Sequence, residues 1–120
     1  MITMKLQPNH YNYMLHGTKR IEIRVYDEKR KTLNLGDTIT FFKEPDLKES
    51  FQAKIIGLLR YENFEELFQD FDISILADKS ITKETLKKEL EQFYPTEKQE
   101  KYGVLGIRVE LERKEYVSKK

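Results

Sequence analysis

Residues 17–26, GTKRIEIRVY, alternate apolar and polar side chains with the period of a β-strand. Side chains two residues apart on a strand share a face, so the strand carries two rows of side chains. The apolar row consists of Ile21, Ile23 and Val25, and the polar row consists of Arg20, Glu22, Arg24 and Tyr26. The pattern predicts a strand that buries one face and presents a line of charged groups on the other.

Basic side chains are concentrated in this strand and in the loop that follows it. Residues 19–31 carry six basic and three acidic side chains, although the whole chain has 22 Lys and Arg, 21 Asp and Glu, and a formal charge of +1. The nearly neutral total excludes a bulk polyanion binder of the histone kind. Any contact with nucleic acid must therefore come from a local patch.

Acidic side chains dominate residues 62–72, ENFEELFQDFD, which carry five acidic and no basic groups. The simplest interpretation is the solvated face of an amphipathic helix. Two alternatives are that this face repels polyanions and so orients their binding, or that it contacts a protein partner.

The remaining elements predict the fold class. Further strands are expected at residues 2–6, 38–43, 51–61 and 102–112, with Gly57 as a bulge or bend. Helices are expected at residues 9–17, with Asn9 near the N-cap and Gly17 past the end, at residues 64–71 after an Asn63 N-cap, and at residues 82–93, with Leu86, Leu90 and Phe93 on one face. Strands come first and last, and two helices are inserted late. This order predicts an α+β fold, a mixed sheet or small barrel with helices on its flank.

Length and composition bound the class of protein. The 120 residues suit a single domain over 1–120, with residues 114–120 as a frayed tail. The absence of cysteine excludes disulfides and thiolate chemistry and is compatible with a reducing compartment. No stretch has the apolar length of a signal peptide or a membrane span, so we expect a soluble cytoplasmic protein without a membrane partner.

Glu22 and Arg24 are the first candidates for a binding site. Glu22 can accept a hydrogen bond from an exocyclic amine or orient Arg24, and Arg24 can hold a phosphate or carboxylate with two parallel hydrogen bonds. The alternative is an exposed ion-pair ladder, worth roughly 0–1 kcal/mol per pair. Lys19 has the opposite parity. Its position favours a surface lysine, with a phosphate contact or a base of lowered pKa as alternatives.

Metal and cofactor chemistry finds no support. His10 and His16 lie six residues apart, which is not a metal-binding spacing, and no cysteine supports them. We therefore predict no metal and no cofactor. Tyrosine rings could provide stacking platforms for bases, although most of them would be ordinary core or rim residues. The candidates are Tyr11, Tyr13, Tyr26, Tyr61, Tyr94 and Tyr102.

The segment GTKRIEIR resembles the GxKxxExR signature of the ASCH domain family (activating signal cointegrator homology) through Gly17, Lys19, Glu22 and Arg24. The following VYDEKRKTLNLGDTITF, with its Gly36-Asp37 turn, and the closing EKYGVLGIRV are similar to small stand-alone members of that family. The resemblance implies a PUA-like mixed β pseudo-barrel with flanking helices. It also implies a cleft that binds RNA or a nucleotide-like ligand.

Some small ASCH proteins are amidohydrolases that act on N4-acylated cytidine with a lysine, a threonine and a glutamate. The resemblance places the lysine at Lys19, but Glu22 occupies the threonine position, and Thr18 precedes the strand and does not substitute. Asp78 is only an approximate match for the acidic residue. The expected nucleophile is missing, which weakens the enzyme interpretation.

The leading hypothesis is therefore a binding module. Lys19, Glu22 and Arg24 would line the cleft, with Tyr26 in the same row as Glu22 and Arg24. Backbone phosphates would meet Arg20, Lys29, Arg30 and Lys31. The rival hypothesis is a small hydrolase in which Lys19 is the base and Glu22 activates water.

Overall fold

The computed structural model describes residues 1–112, which form five strands and five α-helices. The predicted frayed tail, residues 114–120, lies outside this range. The strands are β1 (Ile2–Leu6), β2 (Ile21–Val25), β3 (Thr38–Lys43), β4 (Ser50–Tyr61) and β5 (Val104–Leu111). The helices are α1 (Pro8–His16), α2 (Phe64–Asp70), α3 (Ile73–Leu76), α4 (Lys83–Phe93) and α5 (Thr96–Tyr102), and a 3₁₀ turn spans Arg30–Thr32.

The strands form one mixed sheet in the order β1-β3-β4-β5-β2. β1 runs parallel to β3, and the other neighbouring pairs are antiparallel. The register between β4 and β5 shifts between Ile55 and Gly57, which confirms the predicted bulge. The sheet curls into a half-barrel that leaves β1 and β2 as its two edges. This architecture confirms the predicted α+β class and the mixed β pseudo-barrel with flanking helices.

Two apolar clusters hold the helices against the sheet. The first lies under α1 and is formed by Met4, Leu6, Tyr11, Met14, Leu33, Ile39, Phe41, Ala53, Ile55, Leu105, Ile107 and Val109. The second lies under α2, α3 and α4 and is formed by Ile21, Ile23, Phe64, Leu67, Phe68, Leu76, Ala77, Leu86 and Val104. Val104 belongs to the second cluster and Leu105 to the first, so the first half of β5 is buried on both faces, whereas Arg108 and Glu110 are exposed.

The helix termini follow local sequence rules, with one correction. Asn63 accepts a hydrogen bond from the backbone N–H of Glu66 (2.9 Å), and Thr82 accepts from that of Thr85 (3.0 Å), so both are N-caps. Asn9, predicted near the first N-cap, is the second residue of α1, and the N-cap itself is Gln7. α1 begins at Pro8 after Gln7, because proline is preorganised for the first helical position and has no N–H to satisfy.

Two helices were not predicted. α3 has four residues, too few to show a 3.6-residue period, and α5 has the sequence TEKQEKY with no apolar face. Over residues 1–112, no helix has both the length and the apolarity that crossing a bilayer requires.

Candidate functional site

The turn between α1 and β2 brings Lys19 beneath the surface. The backbone N–H groups of Gly17 (3.1 Å) and Lys19 (3.2 Å) both donate to the carbonyl of Tyr13. A Cβ atom at position 17 would lie 2.8 Å from that oxygen, which explains the requirement for glycine. The chain therefore passes tightly under the end of α1, and the side chain of Lys19 is only 2% exposed. Its interpretation as a surface lysine is wrong.

Three successive residues cap the short helix α3. Thr18 Oγ1 donates to the carbonyl of Ser74 (2.6 Å), Lys19 Nζ to that of Leu76 (2.7 Å), and the Arg20 backbone N–H to that of Ile75 (2.8 Å). Helix-end carbonyls have no partner within the helix, so these donors satisfy groups that would otherwise be unpaired within the protein. Lys19 thus fixes α3 against the start of β2.

The ammonium of Lys19 has no direction left for a further partner. Besides the Leu76 carbonyl, Nζ donates to the Ile21 carbonyl (3.0 Å) and lies 3.4 Å from Glu22 Oε1. An ammonium has three N–H groups, and each of them has an acceptor. Burial lowers the pKa of Lys19, and the neighbouring charge of Glu22 opposes that change.

Glu22 lies between two cations. Its Oε1 faces Lys19, and its Oε2 accepts from Arg24 Nε at 2.8 Å. Burial by itself would raise the pKa of Glu22, but Arg24, Lys19 and His10 together lower it below its usual range. Glu22 is 8% exposed, so the pair is not the exposed ladder that the sequence also allowed. The polar face of β2 is therefore covered by other elements. The Glu22 carboxylate is ionised although it is buried.

Arg24 joins the two edges of the sheet. Its Nη2 donates to the Lys5 carbonyl on β1 (2.9 Å), although β1 and β2 stand at opposite ends of the strand order. Burial works against its charge, but Glu22 and Tyr94 outweigh burial and raise the pKa of Arg24. Glu22 and Lys5 occupy two of the five guanidinium N–H groups and Tyr94 is a third hydrogen-bond partner, so two N–H groups are available to a ligand.

A cavity of about 660 Å³ lies along this junction. Its walls are β1, β2, the start of α1 and the last turns of α4, and we call it the seam cavity because it occupies the gap between the sheet edges. Its boundaries are marked by Lys5, His10, Glu22, Arg24, Glu89 and Phe93. Ligand pockets commonly have volumes of about 300–1,000 Å³, so the space suits a nucleotide-sized molecule.

The lining of the seam cavity is positively charged overall. Its basic side chains are Lys5, Lys19, Arg24, Lys29 and Arg30, and its acidic side chains are Glu22, Glu44 and Glu89. Five against three leaves an excess of two positive charges, in a molecule that is nearly neutral. Low-dielectric walls strengthen this local field, which favours an anionic ligand.

A histidine and a glutamate join α1 to α4 beside the cavity. His10 Nε2 lies 2.9 Å from Glu89 Oε1. Burial, followed by the charge of Lys19, lowers the pKa of His10 against the opposing effect of Glu89 and Glu22. Nε2 of His10 therefore carries a proton that it donates to Glu89, because an ionised carboxylate can only accept. His16, by contrast, is exposed at the end of α1.

The other sequence-predicted residues divide into two groups. Lys29 and Arg30 line the seam cavity, whereas Arg20, Tyr26 and Lys31 do not. Arg20 Nη1 donates to the carbonyls of Met14 (3.0 Å) and Lys19 (2.6 Å). The Tyr26 ring lies under the guanidinium of Arg60. The Asp78 carboxylate accepts hydrogen bonds from the backbone N–H and the hydroxyl of Ser80, and Asp78 does not line the cavity.

Phe93 is the main site residue that the sequence did not reveal. Its position in α4, three after Leu90 and seven after Leu86, is typical of a buried helix face, yet its side chain is 54% exposed and lines the cavity. Phe93 belongs to neither apolar cluster. No pattern within α4 distinguishes Phe93 from the buried Leu86.

A second depression, of about 770 Å³, lies elsewhere and is wider and shallower. It is lined by Arg60, Glu62, Glu66 and Glu100 among others. Acidic groups outnumber basic ones there, and neither of the buried charged residues of the described chain, Lys19 and Glu22, lies in its wall. The larger volume therefore does not make it the better candidate for an anionic ligand.

Comparison with known proteins places this arrangement in context. The sequence profile of the ASCH domain matches residues 4–113. The crystal structure of hypothetical protein PH0355 is similar at a TM-score of 0.75 and 32% identity, covering 91% of this chain and 96% of that one. The solution NMR structure of protein PF0455 from Pyrococcus furiosus is similar in fold at a TM-score of 0.66 and 24% identity, covering 92% and 97%. No curated protein matches the sequence.

Proposed function

The chain belongs to the ASCH domain family, and from this premise we propose that the seam cavity binds RNA or a nucleotide-like ligand. The observation that carries the proposal is the buried Lys19–Glu22–Arg24 cluster in the wall of a cavity with excess positive charge. Burying charged groups costs desolvation free energy, so a buried charged cluster that borders a cavity is a candidate for ligand binding.

The three charged residues have different roles in this proposal. Lys19 uses its three N–H groups within the protein, so it holds Glu22 in place and does not meet the ligand. Glu22 supplies carboxylate lone pairs that accept from an exocyclic amine, and Arg24 supplies N–H donors for a base edge or a phosphate. The pair offers an acceptor beside a donor, which is complementary to the edge of a nucleobase.

The cavity rim supplies the phosphate and stacking contacts. Lys29 and Arg30 lie on the loop after β2 and line the cavity, so they are placed to meet a phosphate. Phe93 and Tyr94 border the same space, with ring centroids 6.5 Å apart. A base that enters between the sheet edges could stack on Phe93, whose ring is already exposed.

Titration of fluorescently labelled single-stranded RNA at two ionic strengths tests the proposal. We expect binding that weakens as salt rises, because phosphate contacts release counterions, and that weakens at least tenfold in Arg24→Gln. Arg108→Gln is the matched control, since Arg108 is an exposed arginine near an aromatic ring, Phe71, and does not line the cavity.

Because Arg24→Gln also removes a contact between the sheet edges, Lys29→Gln provides a second variant at an exposed rim position. It should weaken binding about threefold to tenfold and lower the salt dependence. The proposal is wrong if RNA does not bind at micromolar protein, or if neither cavity variant differs from Arg108→Gln.

The hydrolase alternative makes a different prediction. It requires Lys19 as a base. Turnover of N4-acetylcytidine that is lost in Lys19→Met, under conditions where circular dichroism shows this variant to be folded, and that is retained in Arg24→Gln would favour an enzyme. The contacts of Lys19 argue against that role, because an ammonium with three acceptors must release one of them before it can exchange a proton with a substrate.

A further inference from the structure

Starting at the rim of the seam cavity, an aromatic ring and three cations form a second feature, which we call the basic–aromatic patch: Tyr26, Lys29, Lys31 and Arg60. The guanidinium carbon of Arg60 lies 4.2 Å from the Tyr26 ring centroid, and Lys31 Nζ lies 5.8 Å from it. A cation over a ring face is held there by the ring quadrupole. The main chain at Tyr26 is held by the hydrogen bond from its N–H to the Gly103 carbonyl (3.0 Å).

The patch is continuous with the cavity through one rigid turn. Lys29 and Arg30 line the cavity, and Lys31 is the next residue, within the 3₁₀ turn Arg30–Thr32. The backbone N–H groups of Arg30 and Lys31 both donate to the Asp27 carbonyl at 3.0 Å, and Arg30 Nη1 donates to Asp27 Oδ2 at 3.1 Å. The turn is therefore held in one conformation, in which Lys29 and Arg30 lie at the cavity and Lys31 lies beside Tyr26.

The cations of the patch are available to a ligand. Within residues 1–112, neither Arg60 nor Lys29 has a carboxylate within 4.0 Å. Arg60 also borders the acidic depression lined by Glu62, Glu66 and Glu100, but none of these carboxylates is within that distance of it. Lys31 pairs with Glu28 at 3.1 Å, but both side chains are exposed, and exposed pairs are weak. A guanidinium already ordered by a ring loses little rotamer entropy when it binds a phosphate.

We propose that the basic–aromatic patch carries the backbone of a single-stranded RNA whose neighbouring base occupies the seam cavity. The ligand is then an oligonucleotide and not a free mononucleotide. This inference rests on the proposed function of the cavity. Its chemistry is that of a phosphate track: Lys29 and Lys31 act as point charges along the turn, and Arg60 provides a forked donor at the far end.

The experiment compares a mononucleotide, a trinucleotide and a hexanucleotide of the same RNA by calorimetric titration of the full chain. We expect affinity to rise with length beyond the mononucleotide. Arg60→Gln should weaken hexanucleotide binding about fivefold and lower its salt slope by about 0.7, the value for one phosphate contact on a single strand. Mononucleotide binding should not change in Arg60→Gln.

Arg108→Gln again provides the control, because it removes the same charge from a cation beside an aromatic ring, Phe71, at 5.9 Å. Equal losses in the two variants, or equal affinity for all three lengths, would overturn the phosphate track. If mononucleotide binding then still depends on Arg24, the cavity function stands without the track. If no RNA of any length binds, both proposals fail.

Discussion

At the scale of single residues, Lys19 combines a structural and an electrostatic role. It satisfies two backbone carbonyls and half of a buried carboxylate, and it is among the most buried side chains of the described chain. An ammonium in such a position is stable only while all of its partners remain. The buried carboxylate of Glu22 likewise depends on its cationic partners, Lys19 and Arg24.

Replacing Lys19 by methionine should therefore destabilise the fold by about 3–5 kcal/mol, the effect of removing one partner of a buried ion pair. The methylene volume is conserved, but the carbonyls of Ile21 and Leu76 lose their donor, and Glu22 keeps only Arg24. Urea denaturation monitored by circular dichroism measures the change. The control is Lys88→Met on the exposed face of α4, which should alter stability by no more than about 0.5 kcal/mol. Equal stability of the two variants would contradict the assigned contacts.

Acid should destabilise the protein through Glu22. The pKa of this carboxylate in the fold is below its usual 4.5, with the charges of Arg24, Lys19 and His10 outweighing burial. The unfolded chain therefore takes up the proton first, and the stabilisation present above pH 4.5 is lost as pH falls through the folded-state pKa. The fall in denaturation midpoint below that pH should become shallower in Glu22→Gln and stay unchanged in Glu97→Gln, an exposed control. Identical acid profiles for the two variants would refute the role of Glu22.

The sequence revealed the chemistry of these residues and not their burial. Alternation in GTKRIEIRVY correctly places Glu22 and Arg24 on one face of β2, because strand parity is a local property. Whether that face meets water depends on α1, α4 and β1, which are distant in sequence. For the same reason, no local pattern could show that Lys19 reaches the end of α3.

At the scale of secondary-structure elements, α4 connects the core to the site. Leu86 packs in the second apolar cluster, and the same helix presents Glu89 and Phe93 to the seam cavity. The period of the helix and its Thr82 cap are readable from sequence. The exposure of Phe93 in its last turn is not, because it depends on which elements, distant in sequence, pack against that turn.

Phe93→Ala should weaken RNA binding by about fivefold to 100-fold, since the stacking of a base on an aromatic ring is worth about 1–3 kcal/mol by alanine substitution. Fold stability should change little, because the side chain is 54% exposed. The matched control is Ile56→Ala, an exposed apolar residue at the β4 bulge that does not line the cavity. An unchanged affinity in Phe93→Ala would exclude Phe93 as the stacking platform, and fluorescence titration of labelled RNA provides the measurement.

At the scale of the whole molecule, the site results from an incomplete barrel. Five strands curl far enough to bring β1 and β2 together at Arg24 and Lys5, yet the gap between them stays open as the seam cavity. The α+β class and the curled sheet follow from the order of the elements and from the family resemblance. The seam itself is a property of the strand order, in which the first two strands of the chain become opposite edges of the sheet.

The charge distribution of the whole chain agrees with this arrangement. Basic groups collect around the seam and the turn after β2, while acidic groups collect along residues 62–72, which do not line the seam cavity. A polyanion would then meet the molecule in a preferred orientation.

The central claim is that RNA enters the gap between β1 and β2. An NMR titration of the ¹⁵N-labelled chain with a single-stranded oligoribonucleotide tests it most directly, because each backbone amide reports its own environment. We expect the largest chemical-shift changes at the backbone amides around the seam, those of Lys5, His10, Glu22, Arg24 and Lys29. Changes confined to residues 62–72, or no changes at saturating RNA, would contradict it.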